Sequence, residues 1–245
     1  MQTLENKALK ERNIPELGNA QLNAQSNAQS NAQSDTAQLG KQTEGKSPFS
    51  IKEMAIRALH SLGKKQYNTI ADIGAGRGEL THLIAPFAQK VVMLDDFDSP
   101  TKPKNATFAK VDLNDFWDVA DNSIDFGFSL EVIEHIENPR HFMREMARII
   151  KPNGYGFVST PNQQNIFSRL YFLFKKEHRW FQDNCYPAHI SALMEKDLRR
   201  ILAENNLELV GFFYNYEDAI PFVHTKIRFK MAMFSSSIGV LFRKK

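Results

Sequence analysis

The stretch Tyr67-Asn-Thr-Ile-Ala-Asp-Ile-Gly-Ala-Gly-Arg-Gly-Glu79 constrains the fold more than any other part of the chain. Thr69 to Ile73 is short, apolar and β-branched, broken only by Asp72, as a buried parallel strand would be. Gly74, Gly76 and Gly78 follow at alternate positions, and a helical pattern begins at Glu79 and is expected to reach about Ala88. Strand, glycine turn and helix together make a nucleotide-binding turn. Missing Cβ atoms admit a ligand to the backbone, and the helix start offers unpaired N–H groups. The dinucleotide fingerprint G-x-G-x-x-G would need a glycine at position 79, where this chain has Glu79.

Around this turn the rest of the chain falls into an alternating β/α order. Residues 1–47 hold no aromatic residue and no valine, and they repeat Asn-Ala-Gln-Ser three times from Asn23 to Ser34. Nothing there can bury a core, so this is expected to be a disordered low-complexity tail, with one domain over 48–245. Gly40 to Ser47 satisfies the P-loop spacing G-x-x-x-x-G-K-[ST] but lacks the preceding buried strand, and is read as coincidence. Ser50 and Glu53 have capping-box spacing, ahead of an apolar stripe of Ile51, Met54, Ala55, Ala58, Leu59 and Leu62. Val91 to Leu94 reads as a second strand ending at Asp95-Asp96, where a carboxylate would accept from both ribose hydroxyls of a cofactor. Phe97 to Asn105 contains Pro100 and Pro103 and is too short for a crossover helix. Further strands are expected at Ala106–Val111, Ser123–Ser129, Tyr155–Thr160, Leu207–Tyr214 and Ser237–Phe242. Asn138-Pro139 should start a helix, Lys151 to Gly154 should stop it, and Ser191 to Asn205 should form another. Leu130 to Ile136, if helical, would put Glu131, Glu134 and His135 on one face.

The run Asp72-x-Gly74-x-Gly76-x-Gly78 resembles motif I of the class I S-adenosylmethionine-dependent methyltransferases. Asp72 to Asn162 then follows that family motif by motif, through Glu131-Val-Ile-Glu-His135, Lys151-Pro-Asn-Gly154 and Ser159-Thr-Pro-Asn162. These segments are similar to ubiquinone-pathway O-methyltransferases, to small-RNA 2′-O-methyltransferases and to bacterial sugar-modifying methyltransferases. The resemblance implies a doubly wound, Rossmann-like α/β fold of seven mostly parallel strands, the last one antiparallel and inserted between the fifth and sixth. It implies S-adenosylmethionine as cofactor, held by Asp72, Gly74, Ala75, Gly76, Asp95, Asp96, Asp112, Leu113 and Ser129. His135 with Glu134 would face the acceptor, His135 as general base. In the RNA-modifying relatives the E-x-x-E-H segment and a later histidine bind magnesium or a similar ion. His189 could be that histidine here, so a divalent metal (Mg or Mn) is a second reading and not the preferred one. Residues 164–190 and 217–234 fall where the family places acceptor-side inserts, and Phe222, His224, Lys226 and Arg228 are expected to shape the acceptor pocket.

Composition limits the partners. A formal net charge of +3 on 245 residues argues against a dedicated nucleic-acid binder. The single cysteine, Cys185, excludes an internal disulfide and a cysteine-based zinc site. No secretory pattern and no run of eighteen apolar residues is present, so a cytoplasmic location is expected. The aromatic and basic stretch Ile166 to Phe181 suits a lid over an acceptor, an extra core helix, or a face resting on a membrane. The expected reaction is O-methylation of a small molecule or glycan. The rivals are a metal-dependent RNA 2′-O-methyltransferase and a non-catalytic cofactor-binding partner protein.

Overall fold

The computed structural model describes residues 47–220 and 226–245. The Asn-Ala-Gln-Ser repeats, the P-loop-like segment up to Lys46, Phe222 and His224 lie outside the described residues.

Strand β1 (Tyr67–Ile73) is central, pairing in parallel with β2 (Ala88–Asp95) on one side and β4 (Ile124–Leu130) on the other. With β3 (Ala106–Lys110), β5 (Ile150–Pro161), β6 (Leu207–Tyr214) and β9 (Ser237–Lys244) it forms a seven-stranded sheet in the order β3-β2-β1-β4-β5-β9-β6. Only β9 runs against its neighbours, β5 and β6. The order reverses between β1 and β4, which opens a crevice at their carboxyl ends where ligands bind in such sheets. A separate two-stranded ribbon joins β7 (Glu217–Ala219) to β8 (Lys226–Arg228).

Each face of the sheet buries its own core. On one face, α1 (Phe49–Ser61) and the short α2 (Glu79–Ile84) cover Ile70, Phe126, Phe128 and Phe157. On the other, α3 (Pro139–Ile149) and α5 (Glu195–Glu204) cover Ile73, Leu94, Trp117 and Val240. Strands buried on both faces need runs of apolar residues without alternation, which is how β1, β4 and the second half of β5 read. The stripe on α1 is buried as expected at Ile51, Met54, Ala55, Ala58 and Leu59.

Several boundaries differ from expectation. The capping box of Ser50 and Glu53 does not form. α1 starts one residue before Ser50, with Pro48 as its cap, so Ser50 is inside the helix and buried, and Glu53 pairs with Arg228. α2 ends at Ile84 and not near Ala88, because Pro86 has no N–H to continue it; a single 3-10 turn, Ala85–Phe87, leads into β2. Phe97 to Asn105 is irregular, as its prolines dictate, and Ser99 within it is buried and donates to the Arg77 carbonyl at 2.9 Å. α3 carries the expected cap, the Asn138 side chain accepting from the His141 N–H at 3.1 Å. Lys151 to Gly154 ends α3 without separating it from β5. Ile150 pairs with Ile124 and Tyr155 with Phe126, so those four residues bulge opposite Asp125 alone.

Candidate active site

The glycine turn places left-handed residues at three alternate positions, Gly74 at φ 73°, Gly76 at 51° and Gly78 at 74°. A Cβ on Gly74 would lie 2.4 Å from Cγ2 of Val132, so the turn is wedged against the loop after β4. The Gly74 N–H is bonded back to the Leu94 carbonyl at 2.8 Å, and Ala75 is buried beside it. Asp72 sits beneath the turn, 2% exposed, and accepts from the Thr81 hydroxyl at 2.5 Å. Burial, opposed by that hydrogen bond and aided by the nearby Asp95 charge, pushes the Asp72 carboxyl up to about 7. Thr81, on α2, is a partner that sequence reasoning missed; its signal was a hydroxyl in the first turn after the glycines.

Asp95 ends β2 with both oxygens engaged, Oδ2 accepting from the Gly76 N–H at 2.7 Å and Oδ1 from the Phe97 N–H at 3.1 Å. It therefore fixes the turn's geometry as well as lining its rim. Asp96 is exposed, yet desolvation and the adjacent Asp95, with a contribution from Asp112, raise it to about 6. Asp112 closes an Asx turn on the Asn114 N–H at 2.9 Å, and Leu113 packs partly into the core. The three carboxylates and the glycine turn share one rim of the crevice. Ser129, fully buried at the end of β4, has a hydroxyl with no partner among the described residues.

The loop after β4 is not the expected helix. Glu131 stands at φ 54°, and only Ile133–His135 forms a 3-10 turn. The left-handed residue breaks helical spacing, and Glu131 turns toward β5 and β9. Its carboxylate accepts from the Ser159 hydroxyl at 2.8 Å and the Ser237 hydroxyl at 3.2 Å, and burial raises it to about 7. Glu134 is fully buried, and neither of its oxygens has a hydrogen-bond partner among the described residues. Burial and the Glu131 charge push it well above the usual carboxylate range, with the Thr160 hydroxyl, also partnerless, beside it.

His135 and His189 complete the cluster. Ligand atoms of Glu134, His135 and His189 all lie within 4.8 Å of one another, and the two imidazole rings meet edge to face. The segment carrying His189 is strapped to the β4 loop. The Ile190 and Ser191 N–H groups both donate to the Glu134 carbonyl at 3.0 Å, and the Ser191 hydroxyl donates to the Ile136 carbonyl at 2.9 Å. His135 Nδ1–H donates to the Ala188 carbonyl at 2.7 Å, and His189 Nδ1–H to the Trp180 carbonyl. Both rings, when neutral, thus keep their lone pair on Nε2. Burial and the neighbouring His189 lower His135 to about 4, and burial lowers His189. Burial penalises the imidazolium, so the His135 ring stays uncharged near neutral pH, as a general base requires.

The insert that supplies this strap is anchored by a buried ion pair. Arg179 grips both oxygens of Asp218 at 3.0 and 3.1 Å and donates to the Ala219 carbonyl at 2.7 Å. Lys226 and Arg228 are exposed and paired with Glu217 and Glu53. Gln163 is buried with neither end of its amide bonded among the described residues.

A family model described as "Methyltransferase domain" matches residues 49–211, well over half of the chain. The chain belongs to the class I S-adenosylmethionine-dependent methyltransferases. This methyltransferase is 28% identical over 169 residues to the mitochondrial ubiquinone biosynthesis O-methyltransferase of Dictyostelium discoideum, covering 60% of this chain and 52% of that one. It is 27% identical over 182 residues to the ubiquinone biosynthesis O-methyltransferase of Rickettsia typhi, covering 67% and 73%. The chain thus spans about half the length of the first of these relatives. A methyltransferase structure from Aquifex aeolicus superposes with a TM-score of 0.55 at 17% identity, over 84% of this chain and 98% of that one. The [4+2]-cyclase SpnF also superposes, with a TM-score of 0.55 at 13% identity over 79% and 80%. These likenesses speak for the fold; the chemistry rests on the site.

The methyltransferase's cofactor is S-adenosylmethionine, and the site's residues suit it. The left-handed Gly74, Gly76 and Gly78 leave the turn's backbone open to close approach, and the strand-end carboxylates of Asp95, Asp96 and Asp112 line the rim beside it. No helix among the described residues is long and apolar enough to cross a membrane.

Proposed function

We propose that the methyltransferase transfers its methyl group to a hydroxyl oxygen of a small molecule or glycan. The observation that carries this reading is the buried, partnerless carboxylate of Glu134 beside two neutral imidazoles. When bound, S-adenosylmethionine supplies a methyl group on a sulfonium, which leaves as a neutral thioether as the acceptor oxygen forms its new C–O bond. The chain's own task is to hold the acceptor oxygen in line and to take its proton. Glu134, raised by burial, is the stronger base, and His135 Nε2 is unprotonated at any pH well above about 4. Asp95, Asp96 and Asp112 would bind the adenosine end, and Ser129 would line the floor. Names of the relatives, which are O-methyltransferases, support oxygen as the acceptor atom. The cytoplasmic location expected from composition fits this reading.

A second reading is favoured by the same cluster. An unpaired buried carboxylate and two imidazoles, each with Nδ1 tied to a carbonyl, form a donor set for a divalent cation. Glu134, His135 and His189 would hold it, and it would lower the pKa of an acceptor hydroxyl. Two nitrogen donors suit manganese, iron or zinc better than magnesium, which prefers oxygen.

The test is calorimetric titration with S-adenosylhomocysteine, followed by transfer assays on phenols, sugars and an RNA oligonucleotide, with and without chelator. Transfer to a hydroxyl of a phenol or sugar that His135→Ala abolishes, with cofactor affinity kept, is expected. Transfer only to RNA, or only to nitrogen, would overturn the acceptor assignment. Activity lost to chelator and restored by manganese, together with manganese binding lost in His189→Ala, would establish the cation.

A further inference from the structure

The helix α4 (Ile166–Lys175) does not pack as a core helix. Its one buried residue is Ser168, which is held with the cap residue Asn165: Asn165 Oδ1 accepts from the Ser168 N–H at 2.8 Å. Phe172, Leu173 and Phe174 are consecutive and all exposed, Leu173 by 69% and Phe174 by 77%. A second segment carries the same character alongside it. Phe229, Met231 and Met233 are exposed, and their loop touches α4 where the Phe234 ring lies 6.2 Å from Phe167 and 5.3 Å from Phe229.

Charge separates this surface from a neutral apolar patch. Residues 166–176 contain Arg169, Lys175 and Lys176 with no acidic residue, and residues 226–234 contain Lys226, Arg228 and Lys230 with none. Lys226 and Arg228 are neutralised by Glu217 and Glu53. Among the described residues Arg169, Lys175, Lys176 and Lys230 have no carboxylate in salt-bridge range. The surface is therefore large apolar side chains ringed by cations that have no acidic partner among the described residues. A second copy of the same face would bring like charges together. Beside the exposed rings of Phe172, Phe174 and Phe229, Leu173, Met231 and Met233 add apolar bulk on which no base could stack, as a lipid surface and not a nucleic acid requires. With 10 residues, α4 has about half the length a membrane span requires, so its place is in the interface plane.

We propose that α4 and the loop 229–233 form a docking surface for an anionic lipid bilayer, with Leu173, Phe174 and the two methionines entering the acyl boundary. Lys175, Lys176, Arg169 and Lys230 meet the lipid phosphates. The test reads lipid binding and does not depend on methyl transfer.

The full chain is sedimented with phosphatidylcholine vesicles and with vesicles that also contain phosphatidylglycerol. Binding to the anionic vesicles at least about tenfold tighter than to the neutral ones is expected, weakening with added salt. The double change Leu173→Ser with Phe174→Ser should lower anionic-vesicle binding by about tenfold or more, leaving thermal melting and S-adenosylhomocysteine affinity unchanged. Lys175→Glu with Lys176→Glu should erase the preference for anionic lipid. Wild type left in the supernatant with both vesicles would overturn the proposal, as would equal binding by the serine variant. A dimer in light scattering that the serine variant dissolves, without lipid binding, would reassign the face to self-association. Binding to an RNA oligonucleotide in place of vesicles would reassign it to nucleic acid.

Discussion

The two rims of the crevice are built on opposite principles. On the β1–β2 side the charged and polar groups mostly satisfy one another: Asp72 with Thr81, Asp95 with Gly76 and Phe97, Asp112 with Asn114. On the β4–β5 side Ser129, Glu134, Thr160 and Gln163 are buried with no partner among the described residues. A group buried without a hydrogen bond costs stability and persists where a ligand completes it. In the proposed reaction the first rim would cradle the cofactor, and the second would receive the acceptor.

The contrast can be broken at several points. Glu134→Gln should slow methyl transfer by about a thousandfold while leaving the ligand-free fold as stable or more so, since the buried, partnerless carboxyl it replaces already costs stability. Paired activity assays and urea melts check this, and a large loss of stability would mean that Glu134 is structural. On the cradle side, Gly74→Ala should cost roughly 2–4 kcal/mol in urea unfolding, from its left-handed backbone and the contact with Val132.

Asp72 offers a titration test. Its native carboxyl, raised to about 7 by burial, keeps a proton that the unfolded chain releases near 4. Stability from this group is therefore full below about 4 and is lost as pH rises to about 7. His135, lowered to about 4, acts in the opposite sense, adding stability as pH rises from about 4 to 6.5. Asp72→Asn removes only the falling part. Relative to wild type, the variant should gain on the order of 2 kcal/mol between pH 5 and pH 8 in urea melts. Last in size, Asp95→Ala should weaken S-adenosylhomocysteine binding by about tenfold in calorimetry, by loosening Gly76 and removing a rim carboxylate.

The sequence disclosed the cradle more fully than the acceptor rim, for a physical reason. The cradle is local in the chain: strand, glycine turn and the next strand's end lie within Tyr67 to Asp96, and periodicity with glycine spacing reads it directly. Strand order and the antiparallel last strand were legible through the family resemblance and not through any pattern in residues 207–244. The acceptor rim is assembled from distant segments. Glu134 and His135 were read from a helical spacing that Glu131 breaks with its positive φ, and they meet His189 only through the strap at Ala188 to Ser191. Nothing in the spacing revealed that burial would hold His135 uncharged, nor that Ser237, some hundred residues away, bonds Glu131. Ser50 and Glu53 mimicked a cap because the true start, Pro48, carries no side-chain acceptor.

The position of β9 has a consequence for how the molecule comes into being. The strand Ser237–Lys244 is slotted between β5 and β6, which precede it in the chain and do not touch each other as neighbours in the sheet. During synthesis on the ribosome, β5 must wait with a naked edge while α5 and β6 emerge, until residues 237–244 clear the exit tunnel. Those residues also deliver Ser237 to Glu131, so that contact forms only once β9 has taken its place in the sheet. Nascent chains stalled before Ser237 should therefore be captured by chaperones, because an unpaired apolar strand edge invites aggregation.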